Sequence, residues 1–376
     1  MNTKFQTIGE LFCGPGGGGL GASMSNIKVG EQIIGMRHLW ATDFDKDSCD
    51  TYKANIEKYE KELGIKNSIN IINDDINNID LSETGPLKSV DGLIFGFPCN
   101  DFSIVGKSRG TDGKYGPLYK HGIKVLNRKD KPNWFFAENV GGITSANEGQ
   151  AFKNILQEMK DSGYDLFAHK YNFEDYGVPQ KRHRIIIVGF KSDLNIKFKI
   201  PAPTHQDNSV GNALKSIPKA AHNQEPTVQS KVVVERLKYI KPGQNAWNAD
   251  IPDELKLKVK KTTLSNIYRR LDKEKPAYTL TGSGGGGTHM YHWKENRALT
   301  NRERARIQTF PDNYRFFGSK ESVRKQIGMA IPPIGATHVF KAILCTIMGL
   351  QYDYVKANIN IKEAIQHQHS FDFDEV

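Results

Sequence analysis

The stretch Gly14-Pro15-Gly16-Gly17-Gly18-Gly19-Leu20-Gly21 decides how this chain is expected to fold. It follows Phe5–Phe12, whose apolar residues predict a strand, and a helix is expected directly after it. The first, third and sixth residues of the run have the GxGxxG spacing of a dinucleotide turn. Asp43 stands about where an acid would hold ribose hydroxyls. The run therefore predicts a strand–turn–helix unit that binds a nucleotide-like cofactor.

The turn by itself leaves the cofactor open. A nicotinamide dehydrogenase and an S-adenosylmethionine site explain the spacing equally well, and a tight turn without a ligand is a third interpretation. Further strands are expected to alternate with helices through the first half of the chain, which predicts a parallel sheet covered on both faces. The expected strands are His38–Thr42, Ile69–Ile72, Val90–Phe95, Trp134–Ala137 and Arg184–Phe190. One helix is expected after the first of these strands, ending near Tyr59, and another over Tyr119–Asn127.

The strand–helix rhythm fades after Phe190, where prolines and lysines become frequent, and this change marks a domain boundary. The rhythm returns near Leu299, where Thr300 and Glu303 have the spacing of a helix-opening capping box. A second C-terminal helix is expected over Gly335–Gly349. We therefore expect a first domain over 1–190, a second over 191–291, and a segment 292–376 that returns to the first.

Composition is that of a globular protein, with 38% hydrophobic and 25% charged residues among 376. No apolar run is long enough for a membrane span, and the N-terminus lacks the pattern of a secretory signal. The four cysteines form no CxxC pair, so neither a metal site nor a disulfide framework is expected, and a reducing cytoplasm is the expected location. The net charge is +10, and residues 191–291 carry 17 Lys and Arg against 9 Asp and Glu, which indicates a polyanionic partner for that segment.

Cys99 follows a predicted central strand, at the edge where open α/β sheets place their active sites. Pro98 restricts the backbone just before it. Cys99 is therefore either a buried small residue or a nucleophile. Glu138 comes directly after the apolar run WFFA and is either an ordinary surface acid or a group held near the base at Cys99.

The run Gln180-Lys181-Arg182-His183-Arg184 leads into an apolar strand. Strand alternation would place Gln180, Arg182 and Arg184 on one face, where two arginines are costly unless they meet anions. A solvated strand edge is the alternative interpretation.

Taken in order, these segments resemble the DNA cytosine-5 methyltransferase family over nearly the whole chain outside residues 191–291. The matching segments are Phe12-Cys13-Gly14-Pro15-Gly16-Gly17, Asp43-Phe44, Asp74-Asp75-Ile76, Pro98-Cys99, Glu138-Asn139-Val140, the QxRxR of Gln180 to Arg184, Arg297–Thr300, Arg302-Glu303, Gln308–Pro311 and Gly328–Pro333. The resemblance implies a Rossmann-like S-adenosylmethionine-dependent methyltransferase domain of α/β class. It also implies a smaller target-recognition domain, at 191–291, inserted before the C-terminal motifs.

The resemblance implies that Cys99 attacks C6 of a cytosine flipped out of double-stranded DNA, which activates C5 for methylation. Glu138 would bond N3 and the exocyclic amine, and Arg184 with Arg182 would hold the O2 side. S-adenosylmethionine is the implied cofactor, with Asp43 on the ribose and Phe44 stacked on adenine. The implied cofactor-binding residues are Phe12, Gly14, Gly16, Gly17, Asp43, Phe44, Asp75, Ile76, Pro98, Met329 and Ala330.

The stretch 100–118 is glycine-rich and basic, and it is expected to be the loop that closes over DNA or else an ordinary disordered loop. The expected DNA contacts are Ser103, Lys107 and Arg109 in this loop, and Tyr268, Arg269, Arg270, Ser283 and Gly284 in the basic segment. Arg269 and Arg270 would read bases or only touch phosphates.

Two positions depart from the family pattern. Asn100 stands where glutamine is more usual, and Met329 stands where the last motif normally has asparagine. The rival functions are a transfer-RNA methyltransferase, a DNA-binding protein without catalysis and a nicotinamide dehydrogenase, of which the last leaves PC, ENV and QxRxR unexplained. We expect a cytoplasmic monomer, without a metal or a membrane, that protects DNA alongside a cognate restriction endonuclease.

Overall fold

The structure is a computed structural model that describes residues 3–65, 68–97, 118–140, 149–258, 266–282 and 289–366. The strands and helices in chain order are β1 (Thr3–Leu11), α1 (Gly17–Ser23), β2 (Ile27–Val29), β3 (Gln32–Asp43), α2 (Lys46–Glu62), β4 (Asn70–Asn73), β5 (Gly92–Gly96), α3 (Tyr119–Leu126), β6 (Trp134–Val140), α4 (Gln150–Asp161), β7 (Tyr164–Asn172), β8 (His183–Lys191), β9 (Ile200–Pro201), α5 (Val210–Ala213), α6 (Lys231–Tyr239), α7 (Asn301–Ile307), α8 (Lys320–Met329), α9 (Pro333–Ile347), β10 (Tyr354–Val355) and α10 (Ile361–Gln366).

The chain divides into two compact units. Unit 1 comprises Met1–Asn172, His183–Pro203 and Ala336–Val376, and unit 2 comprises Phe173–Arg182 and Thr204–Gly335. These limits differ from the boundaries expected at 190 and 291, because residues 292–335 pack within unit 2. For example, the Leu299 amide donates to the Met290 carbonyl at 2.9 Å. The assignment of DNA recognition to a separate domain remains a prediction.

Eight of the described strands of unit 1 form one sheet, in the order β2-β3-β1-β5-β6-β8-β7, with β4 paired to β3. The pairs among β1, β3, β4, β5 and β6 are parallel, whereas β2–β3, β6–β8 and β7–β8 are antiparallel. This mixed, mainly parallel sheet confirms the predicted α/β class. The strands expected from sequence are present, each shifted or extended by a few residues. The short β2 and the antiparallel β7 were not predicted, and neither was α8.

Glycines on several strands face aromatic rings of the neighbouring strand. In each of three pairs, a Cβ placed on the glycine would lie 2.1 Å from a ring atom of the aromatic partner. The pairs are Gly9 with Trp40, Gly92 with Trp134, and Gly189 with Phe135. A large ring lying flat across a strand therefore requires a neighbour without a side chain, which fixes the packing of the sheet face.

In unit 2, α7 begins with the capping box expected from sequence. The Thr300 hydroxyl accepts from the Glu303 amide at 3.2 Å, and the Thr300 amide donates to the Glu303 carboxylate at 2.7 Å. Ile307 of this helix packs with Val210, Leu271 and other buried apolar residues into one of the small cores of this unit. The capping-box prediction is confirmed.

Among the residues that the structure describes, one helical stretch, Lys320–Ile347, is long and apolar enough to cross a membrane. It contains two helices, α8 and α9, because the chain leaves helical geometry between Met329 and Pro333. In α9 the side chains of Val339, Phe340 and Ile343 have no exposed surface. That burial is typical of a core helix of a globular protein.

Candidate active site

Glu138 and Arg184 form an ion pair near the ends of two neighbouring inner strands, β6 and β8, of the unit 1 sheet. The Arg184 Nε lies 2.8 Å from the Glu138 Oε1, and the side chains are 12% and 19% exposed, respectively. The pair follows from register, because β6 and β8 are antiparallel and Val140 lies opposite Arg184. An arginine that holds a partly buried carboxylate in one orientation prepares the carboxylate to receive hydrogen bonds from a ligand.

The Glu138 carboxylate lies beside the end of β5. Gly96 is the register partner of Glu138, and a Cβ at position 96 would be 3.3 Å from the Glu138 Oε2. Two residues after Gly96 the chain reaches the Pro98-Cys99 pair. The predicted site residues Pro98, Cys99, Ser103, Lys107 and Arg109 lie outside the described residues, as do Ser283 and Gly284 in the basic segment.

Asn139 lies between Glu138 and Val140, and no role was predicted for it from the sequence. It is 5% exposed, and its Nδ2 donates to the Phe97 carbonyl at 3.3 Å. Its Oδ1 accepts from the Val140 amide at 2.8 Å. The side chain thus ties the end of β6 to the residue that precedes Pro98, and its place between Glu138 and Val140 in the ENV tripeptide was the available signal.

The glycine-rich turn after β1 is held by Asp43. The Asp43 Oδ2 accepts from the Gly14 amide at 2.8 Å, and its Oδ1 accepts from the Asp45 amide at 2.9 Å. Gly14 and Gly16 have positive φ, 52° and 90°, and a Cβ on Gly14 would meet nothing within 4 Å. The open space beside this backbone fits a ligand that approaches the turn closely. Asp43 carries a structural role here in addition to the ribose contact that remains predicted.

The expected adenine contacts lie at neighbouring strand ends. Phe44 is 68% exposed directly after β3. Asn73, at the end of the parallel β4, donates through Nδ2 to the Phe44 carbonyl at 3.0 Å. Asp75 caps a short 3-10 turn by accepting from the Asn77 amide at 3.0 Å, whereas Ile76 is buried in the core. The structure therefore brings Phe44 and Asp75 to one edge, with Phe44 presenting its ring outward.

Arg182 does not share a strand face with Arg184, contrary to the expectation from alternation. The strand begins only at His183, and Arg182 is 2% exposed within unit 2. Its guanidinium donates to the Leu280 carbonyl at 3.0 Å and to the Ala330 carbonyl at 2.9 Å. These carbonyl bonds compensate the burial of its charge. They give Arg182 a structural role in unit 2 and leave Arg184 as the arginine that contacts Glu138.

Gln180 has surroundings like those of Arg182. It is fully buried, its Nε2 donates to the Gln308 Oε1 at 2.5 Å, and its Oε1 accepts from the Leu280 amide at 2.8 Å. Ala330, a predicted cofactor contact, is 6% exposed and uses its carbonyl for Arg182. Met329 is 57% exposed, and its Cγ would be 3.1 Å from a Cβ on Gly282.

Two of the five DNA contacts expected in the basic segment, Arg270 and Tyr268, are buried. Arg270 is 4% exposed and donates to the carbonyls of His292 at 3.0 Å and Leu237 at 2.7 Å. Tyr268 is 6% exposed and its ring packs on Tyr291. This corrects the expectation that they face DNA, because groups enclosed within unit 2 are not presented to a groove. Arg269 is partly exposed, with its guanidinium 4.6 Å from the Tyr278 ring centre.

Buried acidic groups lie under the glycine-rich turn, and the sequence interpretation did not identify them. Burial raises the pKa of Glu10 to about 8, and burial raises the pKa of the Cys13 thiol well above its usual range. Across the residues that the structure describes, no group of three His, Cys, Asp or Glu side chains could hold a metal ion.

The family model for C-5 cytosine-specific DNA methylases matches residues 6–345. The chain therefore belongs to this family and is a DNA cytosine-5-methyltransferase. It is 48% identical to the type II methyltransferase M.BbvI of Brevibacillus brevis, over 96% of each chain. It is 38% identical to the type II methyltransferase M.NgoFVII of Neisseria gonorrhoeae, over 89% of this chain and 85% of the relative.

Solved structures show the same fold at low sequence identity. A putative DNA modification methyltransferase encoded within an Escherichia coli prophage superposes with a TM-score of 0.69 at 22% identity, covering 91% of this chain and 99% of that one. The Schizosaccharomyces pombe Dnmt2 methyltransferase superposes with a TM-score of 0.56 at 14% identity, covering 92% of this chain and 100% of that one. The solved structures confirm the predicted fold class, and the family model with the sequence relatives confirms the predicted family.

Proposed function

We propose that the protein transfers a methyl group from S-adenosylmethionine to C5 of a flipped-out cytosine in a specific double-stranded DNA sequence. The reaction passes through a covalent bond between Cys99 and C6. The observation that carries the proposal is the Glu138–Arg184 ion pair, which lies beside Gly96, three residues before Cys99. The related type II methyltransferases support a role in protecting DNA from a cognate restriction endonuclease.

Cytosine C5 is a poor nucleophile until the ring loses its aromaticity. The Cys99 thiolate forms a bond to C6, and the electrons of the C5–C6 double bond move to C5. After methylation, C5 loses its proton and C6 releases the thiolate, which restores the ring. One proton shared between Glu138 and N3 lets Glu138 bond both N3 and the exocyclic amine, and it compensates the negative charge that thiolate attack places on the ring, while Arg184 keeps the carboxyl group in place. Arg182 acts only indirectly, because its hydrogen bonds to the Leu280 and Ala330 carbonyls stabilise unit 2.

The residues around the glycine-rich turn fit the methyl donor, since the backbone beside Gly14 is open and Phe44 presents an exposed ring. Phe12, Gly14, Gly16 and Gly17 would lie against the methionine part and Asp43 would bind the ribose. Phe44 and Asp75 would meet the adenine. When bound, the donor supplies an electrophilic methyl group on a sulfonium.

The proposal is tested by methylating unmethylated duplex DNA with labelled S-adenosylmethionine and mapping protected cytosines by bisulfite sequencing. We expect protection within one short motif by the wild type, and none by Cys99→Ser. Cys345→Ser is the matched control, because Cys345 is a half-buried cysteine of α9 to which no step is assigned, and its loss should leave methylation intact.

The covalent step has its own test. A duplex with 5-fluorocytosine at the mapped position blocks loss of the C5 substituent, so the wild type should remain bound to DNA on a denaturing gel, whereas Cys99→Ser should not. Methylation of RNA but not DNA, or full activity of Cys99→Ser, would overturn the proposal. Separately, cleavage of unmodified but not modified DNA by the cognate nuclease would support the protective role.

A further inference from the structure

Glu10 is a buried carboxyl group to which the proposed mechanism assigns no task. It lies in β1, two residues before Phe12, and is 4% exposed. Its Oε2 accepts a hydrogen bond at 2.9 Å from the hydroxyl of Tyr52 in α2, whose side chain has no exposed surface. Burying a carboxyl group costs free energy, so the position of Glu10 beside the glycine-rich run indicates that it has a structural or functional role.

The Glu10–Tyr52 pair fills the space beside two glycines in the first turn of α1. A Cβ on Gly18 would lie 2.8 Å from the Glu10 Oε1, and a Cβ on Gly19 would lie 2.9 Å from the Glu10 Oε2 and 2.7 Å from the Tyr52 hydroxyl. The Gly19 amide is also close enough to the carboxyl group to lower its pKa. The pair therefore sets how closely α1 can approach β1 and α2, and it explains why glycine occupies both positions.

The groups that face Glu10 do not neutralise a negative charge on it. Burial is the main cause that raises the pKa of Glu10 to about 8, and nearby Asp43 raises it further, while the Tyr52 hydrogen bond lowers it. Cys13 and Tyr52 are themselves groups whose pKa burial raises. The remaining titratable groups of this cluster are Cys49, Glu60 and His38, and Glu60 accepts from the His38 amide at 2.6 Å.

We propose that Glu10 is a positioning residue for the methyl donor, holding the Gly18–Gly19 backbone in its binding conformation as a neutral acid bonded to Tyr52. The inference rests on the proposed use of S-adenosylmethionine. Ionisation of Glu10 places an uncompensated charge in this packed cluster, so the first turn of α1 and the glycine-rich turn that leads into it lose their conformation, and the donor loses its contacts. Affinity for the donor therefore decreases as the pH rises past about 8.

The test measures equilibrium binding of S-adenosylhomocysteine, by calorimetry, on both sides of pH 8. For the wild type we expect affinity to fall about tenfold for each pH unit above the inflection, because one proton is linked to binding. Glu10→Gln should bind like the wild type at neutral pH and lack that inflection. Ionisation of the ligand's own amino group affects both proteins equally. Tyr52→Phe should move the inflection to higher pH, because the Tyr52 hydrogen bond lowers the pKa of Glu10.

Glu158→Gln is the matched control, because Glu158 accepts from the Tyr119 hydroxyl at 2.6 Å in another tyrosine–glutamate pair of unit 1. It should follow the wild-type pH profile. Equal profiles for the wild type and Glu10→Gln would overturn the inference while leaving the cofactor proposal intact. No binding of S-adenosylhomocysteine by the wild type at any pH would overturn both.

The pH dependence of urea unfolding separates the two failures, since it requires no ligand. Glu10 binds its proton more tightly in the folded state, so the free energy of unfolding of the wild type should fall as pH rises from 4.5 to about 8. Glu10→Gln should lack this slope. If the slope is present without ligand binding, Glu10 is a neutral acid and the failure lies in the cofactor proposal on which the inference rests; if the slope is absent, Glu10 is not neutral and the inference itself has failed.

Discussion

Arg269 and Arg270 are adjacent in sequence but differ in their surroundings. Arg270 donates to backbone carbonyls inside unit 2, whereas Arg269 remains partly exposed against Tyr278. An arginine that saturates buried carbonyls supports the fold, and only an accessible one can reach a base edge or a phosphate. Substitution of Arg270 therefore tests the structural role, and substitution of Arg269 tests the contact with DNA.

Arg270→Ala should destabilise the protein by about 3 kcal/mol, because several buried carbonyls would each lose the charged donor that Arg270 supplies. Arg269→Ala should cost about 0.5 kcal/mol, the scale of an exposed cation–π contact, but should weaken DNA binding. Urea unfolding and fluorescence anisotropy with a methylatable duplex measure the two effects. Equal destabilisation by both substitutions would contradict this assignment.

Glu138→Gln keeps the shape of the side chain and removes its charge. We expect the rate of methyl transfer to fall about 10²- to 10⁴-fold, because the charge on the reacting ring loses its stabilising partner. Single-turnover rates at saturating DNA measure the loss, and DNA affinity should change little. Glu158→Gln serves again as the control substitution. A wild-type rate for Glu138→Gln would show that the carboxylate takes no part in the reaction.

At the scale of elements, the start of α7 is specified locally. Thr300 and Glu303 exchange the two hydrogen bonds of a capping box, and the Glu303 carboxylate also pairs with Arg297 at 2.7 Å. All three residues lie within seven positions of sequence. For that reason this helix start could be predicted without knowledge of the fold.

Thr300→Ala should lower the free energy of unfolding by about 1 kcal/mol, because the Glu303 amide loses the Thr300 hydroxyl that accepts its hydrogen bond. Thr300→Ser keeps the hydroxyl and should retain most of the stability. Urea midpoints of the three proteins provide the measurement. If Thr300→Ala were as stable as Thr300→Ser, the cap would contribute nothing to unit 2.

Strand pairing, by contrast, required contacts that are distant in sequence. The existence of β1, β5 and β6 was predictable from short apolar runs. The antiparallel β7 was missed because its burial alternates weakly, with intermediate positions at Asp165, Leu166 and Phe167. Pairing with β8 along its whole length overrides this local ambiguity.

At the scale of the whole molecule, the net charge of +10 and its concentration in residues 191–291 predict binding to a polyanion. Phosphate contacts release counterions, so DNA affinity should fall linearly in a log–log plot against salt, with a slope of about −0.9 per contact. If Arg269 touches a phosphate, Arg269→Ala should make the slope less negative by about 0.9, the value of one contact. Lys362→Ala, on α10 of unit 1, removes the same charge and should leave the slope unchanged. Equal changes in slope for Arg269→Ala and Lys362→Ala would instead indicate an effect of the overall protein charge.

The sequence by itself determined the α/β class, the glycine-rich turn, the helix cap and the motifs that identify the family. Each of these depends on residue types within a few positions, and local backbone preferences and hydrophobic periodicity act over that range. The Glu138–Arg184 pair could be expected only through the family resemblance, because it spans two strands.

Only the tertiary structure decided which polar residues face a ligand and which support the fold. Arg182 bonds carbonyls 98 and 148 positions away, and Glu10 meets a tyrosine 42 positions away. A sequence pattern does not reveal whether a charged side chain finds buried acceptors, because those acceptors are backbone atoms that any residue supplies. Burial and partner geometry therefore separated Arg182 from Arg184 and Arg270 from Arg269, pairs of the same residue type no more than two positions apart.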